Sequence, residues 1–543
     1  MPLLALPDVH WATQEVVKAP ALDIGLAHEL VTRDGALQFM QDVCPTAGAH
    51  ESCVVRGSWA RVATRPGAPA PAPRRGGASA VVAGWLYIFG GVLKDMTDML
   101  AGQAGGAVNF PVDLDEDDFA NMGDENAGDC WRISAKAMLA AAADPAAPLP
   151  AWQQLMTPAL SDGPPASEHA RGAACDALGL FVVLAGGRLY TLSVSGPAAE
   201  PVSRWRFLGS PWRRGRGAPR CTMDEDCELE ELQAALCVGG EFAYVFWAAE
   251  GLHAVCLRTG APSIRIDTAG GAPARSLVYM WVARAPPPGG DAADAILRLW
   301  GGISPSDDGL PPQVPGMFYT NQATNADMWT CDHGAWQQMW PPAKGGGGVP
   351  PPTRGEALCL PRPGSALLLA GYSEALPRRV LLGGAQPVGA AYRYLNDAYV
   401  FAEDHGAGGS DFDEDSPPQR CGWRAVATPL ADRPPPLAQC LGGWYARGGA
   451  ALLAGGYTTF VEGARVAPSG APHRFPLTAL YVLRLEGDDA CDAMSLRACA
   501  HCGATGIELR LCGRCRRTRY CGAVCQRAHW PAHKRECECA GAA

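Results

Sequence analysis

The sequence predicts an all-β fold followed by a small module that needs metal to hold its shape. Three observations carry this. Glycine (65) and proline (47) are abundant in the 543 residues, and charged residues make up only 18%. That balance disfavours long helices and favours many turns. A weak internal repeat of paired apolar strands runs from about residue 58 to 485. Eight cysteine and histidine residues stand at regular spacing in 499–537.

The clearest copy of the repeat is ASAVVAGWLYIFGG, Ala78 to Gly91. It reads as an apolar strand, a tight turn at Gly84, a second apolar strand and a double glycine. A later strand of the form Asn-Asp-x-Tyr/Trp-x-Phe and a last strand opened by tryptophan complete the unit, as in Asn325 to Met339. Six units follow in order. The first runs from Arg75 through Gly90-Gly91 to Trp131 and Trp152. The second holds Arg171, an apolar strand ending at Gly187, Leu189-Tyr190 and Trp205. The third is degenerate, with Ala235 to Trp247 and then GLHAVCL but no closing tryptophan. The fourth has ILRLWGG ending at Gly302, then Trp329 and Trp336. The fifth has Arg354-Gly355, Leu395 to Phe401 and Trp423; its second strand is either Ala366 to Gly371 or Val380 to Gly384. The sixth has AALLAGG ending at Gly456 and ALYVLRL, Ala479 to Leu485. Glycine suits the strand ends because backbones crowd there and leave no room for a side chain.

This pattern resembles the kelch repeat, whose units are the four-stranded blades of a β-propeller. The resemblance implies a six-bladed ring over residues 58–487. The sixth unit has no closing tryptophan strand, while SWARVAT (Ser58 to Thr64) stands alone ahead of the first. Pairing the two locks the ends together and removes an open edge. Residues 1–57 form an N-terminal extension, in which Ala21 to Cys44 suits one or two short helices. The acidic runs in Asp113 to Asp129, Asp224 to Asp226 and Asp411 to Asp415 lack the spacing of a calcium loop and read as solvated loops. Pro341 to Pro352 reads as a linker between the fourth and fifth units.

The C-terminal ligands are Cys499, Cys502, Cys512, Cys515, Cys521, Cys525, His533 and Cys537, in the pattern C-x2-C-x9-C-x2-C-x5-C-x3-C-x7-H-x3-C. Eight ligands make two tetrahedral sites, and thiolate with imidazole is what structural zinc prefers. A segment this short buries too little apolar surface to fold alone, so metal supplies the folding free energy. Two filled sites leave no open position for a reactive water. From Gly522 to His529 the residues favour a short helix that Pro531 is expected to stop. The segment resembles the MYND-type zinc finger. All eight ligands match, as do Tyr520 and the turn His529-Trp530-Pro531. The resemblance implies interleaved sites, Cys499, Cys502, Cys521 and Cys525 on one zinc and Cys512, Cys515, His533 and Cys537 on the other. Spacing alone leaves a sequential pairing open. The resemblance also implies capture of a proline-rich peptide by Gln526 and Trp530. A linker, 488–498, precedes the module and a short tail, 538–543, follows it.

The net charge of -10 argues against the whole chain binding nucleic acid. The finger itself is basic, with nine cationic residues against three acidic ones between Arg497 and Cys539, so nucleic-acid binding there is one alternative. No phosphate loop, dinucleotide fingerprint or nucleophile elbow appears, and no SET domain is present. An enzyme using the propeller channel is the other alternative, since such sites gather residues from distant blades. The start lacks a basic, apolar leader and no run is long enough to span a bilayer. The odd cysteine count of 21 fits a reducing compartment. The expectation is a soluble intracellular scaffold, in cytoplasm or nucleus, that joins proteins through a propeller face and a peptide-gripping finger. A role in transcriptional regulation fits that scaffold, and catalysis is not expected.

Overall fold

The computed structural model describes the stretches 54–94, 125–156, 163–194, 205–212, 234–305, 322–340, 351–374, 392–402, 422–428, 434–458, 475–486 and 510–534, with short interruptions inside several of them. Residues 1–53 of the N-terminal extension, 113–124 of the first acidic run, the other two acidic runs, the linker 488–498 and most of Pro341 to Pro352 lie outside the described residues. The end of the first acidic run is not the solvated loop expected: Glu125–Asn126 form a short strand and Asp129 pairs with Arg74.

The repeated apolar pairs form antiparallel four-stranded meanders. After β1 (Val54–Val62) the first holds β2 (Ala78–Val82), β3 (Trp85–Phe89), β6 (Cys130–Ser134) and β7 (Gln153–Met156), with the ribbon β4 (Val92–Lys94) and β5 (Glu125–Asn126) rising between β3 and β6. Ala83 and Gly84 link β2 to β3 with φ of 49° and 83°, the two left-handed positions of a tight hairpin. The next meander is β8 (Arg171–Cys175), β9 (Leu180–Ala185), β10 (Arg188–Ser193) and β11 (Trp205–Gly209). Then come β12 (Ala235–Gly239), β13 (Phe242–Trp247), β14 (Gly251–Cys256) and the two-residue β15 (Ile264–Arg265). Another joins β16 (Tyr279–Arg284), β17 (Ile296–Trp300), β20 (Met328–Asp332) and β21 (Ala335–Trp340), with a ribbon of β18 (Ile303–Pro305) and β19 (Gln322–Thr324). Its neighbour joins β22 (Leu358–Arg362), β23 (Ser365–Leu369), β26 (Ala398–Ala402) and β27 (Gly422–Ala427), with a ribbon of β24 (Tyr372–Glu374) and β25 (Tyr392–Tyr394). β23 therefore falls on the first of the two strands considered for that unit.

The closing meander takes β28 (Leu441–Tyr445), β29 (Ala450–Ala454) and β32 (Leu480–Glu486), with a ribbon of β30 (Tyr457–Thr458) and β31 (Phe475–Pro476), and draws its outer strand from the other end of the chain. β1 runs antiparallel to β32, setting Trp59 opposite Leu483. Trp59 is 6% exposed, so the orphan tryptophan strand seals the ring as the sequence suggested. One pairing was not foreseen. The start of β1, Val54 to Arg56, also lies parallel to Ala425 to Ala427 of β27, which fuses the closing meander and its neighbour into one eight-stranded sheet.

The first strands of successive meanders touch in a closed cycle: β2 to β8, β8 to β12, β12 to β16, β16 to β22, β22 to β28 and β28 back to β2. This is a multi-bladed, propeller-like ring around a central channel. Apolar residues from facing sheets fill the gaps between blades. The most aromatic gap packs Trp281, Trp300, Phe401 and Trp423 at centroid distances of 5.3 to 6.2 Å, each pair worth about 0.5–1.5 kcal/mol beyond area burial. α1 (Ala135–Ala143) follows β6, capped by Ser134 Oγ accepting from the Ala137 N–H. Its Met138 is fully buried, and Arg484 of β32 donates to the Leu139 carbonyl at 2.9 Å. The helix thus fastens the first blade to the closing one. Among the described residues no helix is long and apolar enough to cross a membrane.

Candidate zinc finger and channel site

In the finger, β33 (Arg510–Leu511) and β34 (Arg519–Tyr520) form a two-residue ribbon. The Cys512 N–H continues it, donating to the Thr518 carbonyl at 2.7 Å. The chain thus folds back immediately after the first cysteine of the second C-x2-C pair, and Cys521 directly follows β34. Cys512 and Tyr520 are each 1% exposed. A buried thiol at the root of a short hairpin, amid seven further soft donors in the same segment, suits zinc. Cys499, Cys502, Cys515, Cys521, Cys525, His533 and Cys537 lie outside the described residues.

The backbone is helical at Ala523, Gln526, Arg527, Trp530 and Lys534. The stop expected at Pro531 lies outside the described residues. Gln526 and Trp530, four residues apart in sequence, are both half-buried, while Ala523, Arg527 and Lys534 are exposed.

In the ring, one polar arrangement recurs at three blades. An arginine ahead of the first strand forks onto an aspartate ahead of the third. Arg74 Nη2 meets Asp129 Oδ2 at 3.1 Å, Arg275 Nη2 meets Asp327 Oδ2 at 2.7 Å, and Arg354 Nη2 meets Asp397 Oδ2 at 3.0 Å. The same guanidinium donates to the carbonyl just after the second strand, on Gly90, Gly301 or Ala370, at 3.1, 3.3 and 3.0 Å. That residue's N–H returns to the aspartate carbonyl. Trp131 and Trp329 each add an indole N–H to the carboxylate. The aspartate of the sequence repeat is thus a latch. Its arginine in the first blade is Arg74, not the neighbouring Arg75. Burial raises the Asp129 and Asp327 carboxyl pKa values, but the guanidinium and indole donors outweigh it and hold both below the ordinary value. The double glycine follows from the same crowding. A Cβ on Gly90 would stand 2.8 Å from the Ser167 carbonyl, and one on Gly91 would stand 2.8 Å from that of Arg75. In the β22–β27 blade Ala370 takes the first glycine's place with φ of 57°.

The central cavity has a volume of about 670 Å³ and is lined by the first strands of all the blades. At the mouth where those strands begin stand His169, Arg171 and Gln439. Burial, then the charges of Arg171 and Arg75, push the His169 pKa down to about 3. Three lining thiols are pushed up by burial: Cys175 to about 11, Cys359 and Cys440 to about 12. These four groups therefore hold one protonation state across neutral pH. At the opposite mouth Glu241 pairs with Arg258 at 2.6 Å and Arg362 lies 4.2 Å over the Trp444 ring. Sequence reading missed both mouths, because their residues come from different blades.

Comparison with known proteins bears on the two parts separately. Residues 499–537 match the MYND finger family. A 41-residue stretch is 46% identical to histone-lysine N-methyltransferase SMYD3 of Homo sapiens, covering 8% of this chain and 10% of that protein. The chain thus spans about a tenth of that relative's length. The solved structure of YjhT aligns over 72% of this chain and 92% of that one at 11% identity, with a TM-score of 0.31. The segment 499–537 is a MYND finger, a Cys/His module that holds two structural zinc ions.

Proposed function

We propose that this chain is a protein–protein scaffold in which a six-bladed, kelch-type propeller presents one face to a partner and the MYND finger grips a proline-rich peptide. The observation that carries the reading is the pair Gln526 and Trp530, both helical and half-buried within the stretch that matches the MYND finger. An extended proline-rich strand loses little entropy on docking against a flat aromatic face. Cys499, Cys502, Cys521 and Cys525 hold one zinc, and Cys512, Cys515, His533 and Cys537 the other. Both metals shape the grip and neither does chemistry, and the chain works inside the cell, where transcriptional regulation is one setting for it. Two tethered modules raise each other's effective concentration when both partners belong to one assembly.

The test is Trp530→Ala in the full chain, with zinc content and proline-rich peptide binding measured side by side. The expected outcome is an unchanged metal content and a loss of binding of about tenfold or more, as for removal of a central aromatic anchor. Peptide affinity equal to that of the parent removes Trp530 from the binding surface.

A further inference from the structure

The described residues at the two mouths of the ring's cavity differ: both lining carboxylates stand at one of them. Among the described lining residues the carboxylates Asp176 and Glu241 lie at the mouth where the first strands end, beside the guanidiniums of Arg258, which pairs with Glu241, and Arg362. The other mouth carries Arg171 and His169, with Arg75 close enough to act electrostatically on that histidine. Gln439 completes this end in a left-handed backbone conformation, φ 50°, a costly state for a residue with a side chain. Two bonds fix it there: Arg75 Nη1 donates to Gln439 Oε1 at 2.6 Å, and the Gly76 N–H donates to its carbonyl at 2.8 Å. Between the mouths the wall is largely aliphatic, with Leu236, Val238, Met280 and Leu360. The ribbons β4–β5, β18–β19, β24–β25 and β30–β31 rise on the same side as this cationic mouth, because each leaves the end of a second strand. A cavity of this size falls within the range of small-molecule sites.

We propose that the channel binds a small organic anion, its charged group at the Arg171–His169–Gln439 mouth and its apolar body along the aliphatic wall. A neutral His169 offers the anion one N–H and carries no charge of its own. Arg171 supplies the attraction, and its fork matches a carboxylate or sulfonate. The strained Gln439 keeps its place through Arg75, so the mouth is formed before a ligand arrives.

The test uses two probes of similar shape on the intact chain: anionic 8-anilinonaphthalene-1-sulfonate and neutral N-phenyl-1-naphthylamine, both followed by fluorescence. The sulfonate is expected to bind one site per chain, about tenfold or more tighter than the amine, the gain of one hydrogen bond to a charged group. Arg171→Met should erase that preference while leaving amine binding unchanged, and Arg171→Lys should keep much of it. Should Arg171→Met not fold, competition on the parent decides: 1-naphthalenesulfonate should displace the bound sulfonate probe and 1-naphthol should not. Equal affinity for the two probes, a preference that survives Arg171→Met, or equal displacement by the charged and neutral competitors overturns the proposal.

Discussion

Arg74, Arg275 and Arg354 repeat one arrangement at three blades, and each ties three chain segments through a single guanidinium. Arg354 is fully buried, so losing its charge leaves Asp397 without the partner it faces. Arg354→Met is expected to cost about 3–5 kcal/mol in a denaturant titration, the usual penalty for breaking one half of a buried pair. The acid side of the stability profile follows from two kinds of group. His169 has a folded pKa depressed to about 3 from 6.5, so below 6.5 the unfolded chain binds a proton that the folded chain refuses. Stability is expected to fall as pH drops from 6.5 toward 3, and His169→Gln should flatten that limb. Asp129 and Asp327 have depressed folded values. Their contribution is complete above the ordinary carboxylate range and disappears only as pH falls through the lower folded value. Thermal melts at stepped pH check both windows, and an identical limb in parent and His169→Gln contradicts the assignment. Asp327 and Asp397 were legible in the sequence as part of the repeat, whereas Asp129 was read as the end of a solvated acidic run, and the arginine partners lie from 43 to 55 residues away. No local pattern ties such pairs together, so the sequence reading did not foresee the latch.

At the scale of elements, β1 is the strand on which ring closure depends. It supplies Trp59 and Val62 to two different interblade cores and pairs with strands on either side. Comparing chains that lack residues 1–53 with chains that lack 1–62 isolates its contribution. The second truncation is expected to lower stability by at least about 3–5 kcal/mol relative to the first, the cost of losing one buried tryptophan. Equal melting curves contradict closure by β1. This pairing was legible because one unit lacked a tryptophan strand and another segment had one to spare. The parallel contact with β27 was not legible, since Val54 to Arg56 carry no signal for a second partner. α1 lies in an alanine-rich stretch whose helix propensity is high. The repeat drew attention to its strands, and the helix inside the first unit escaped notice.

Across the whole molecule, two devices of different kind share one chain. The ring holds itself by apolar burial between blades and by strand pairing at the seam. The finger is too short to build a large apolar core and depends on its two zinc ions for shape. Chelation should therefore separate them, removing the finger's function while leaving the ring intact. The measurement that tests this most directly is metal analysis of the purified full chain with peptide binding and melting recorded before and after a strong chelator. The account predicts two zinc ions per chain, loss of proline-rich peptide capture once they are removed, and an unchanged melting transition for the ring. One zinc per chain, or peptide capture that persists in the metal-free protein, contradicts it.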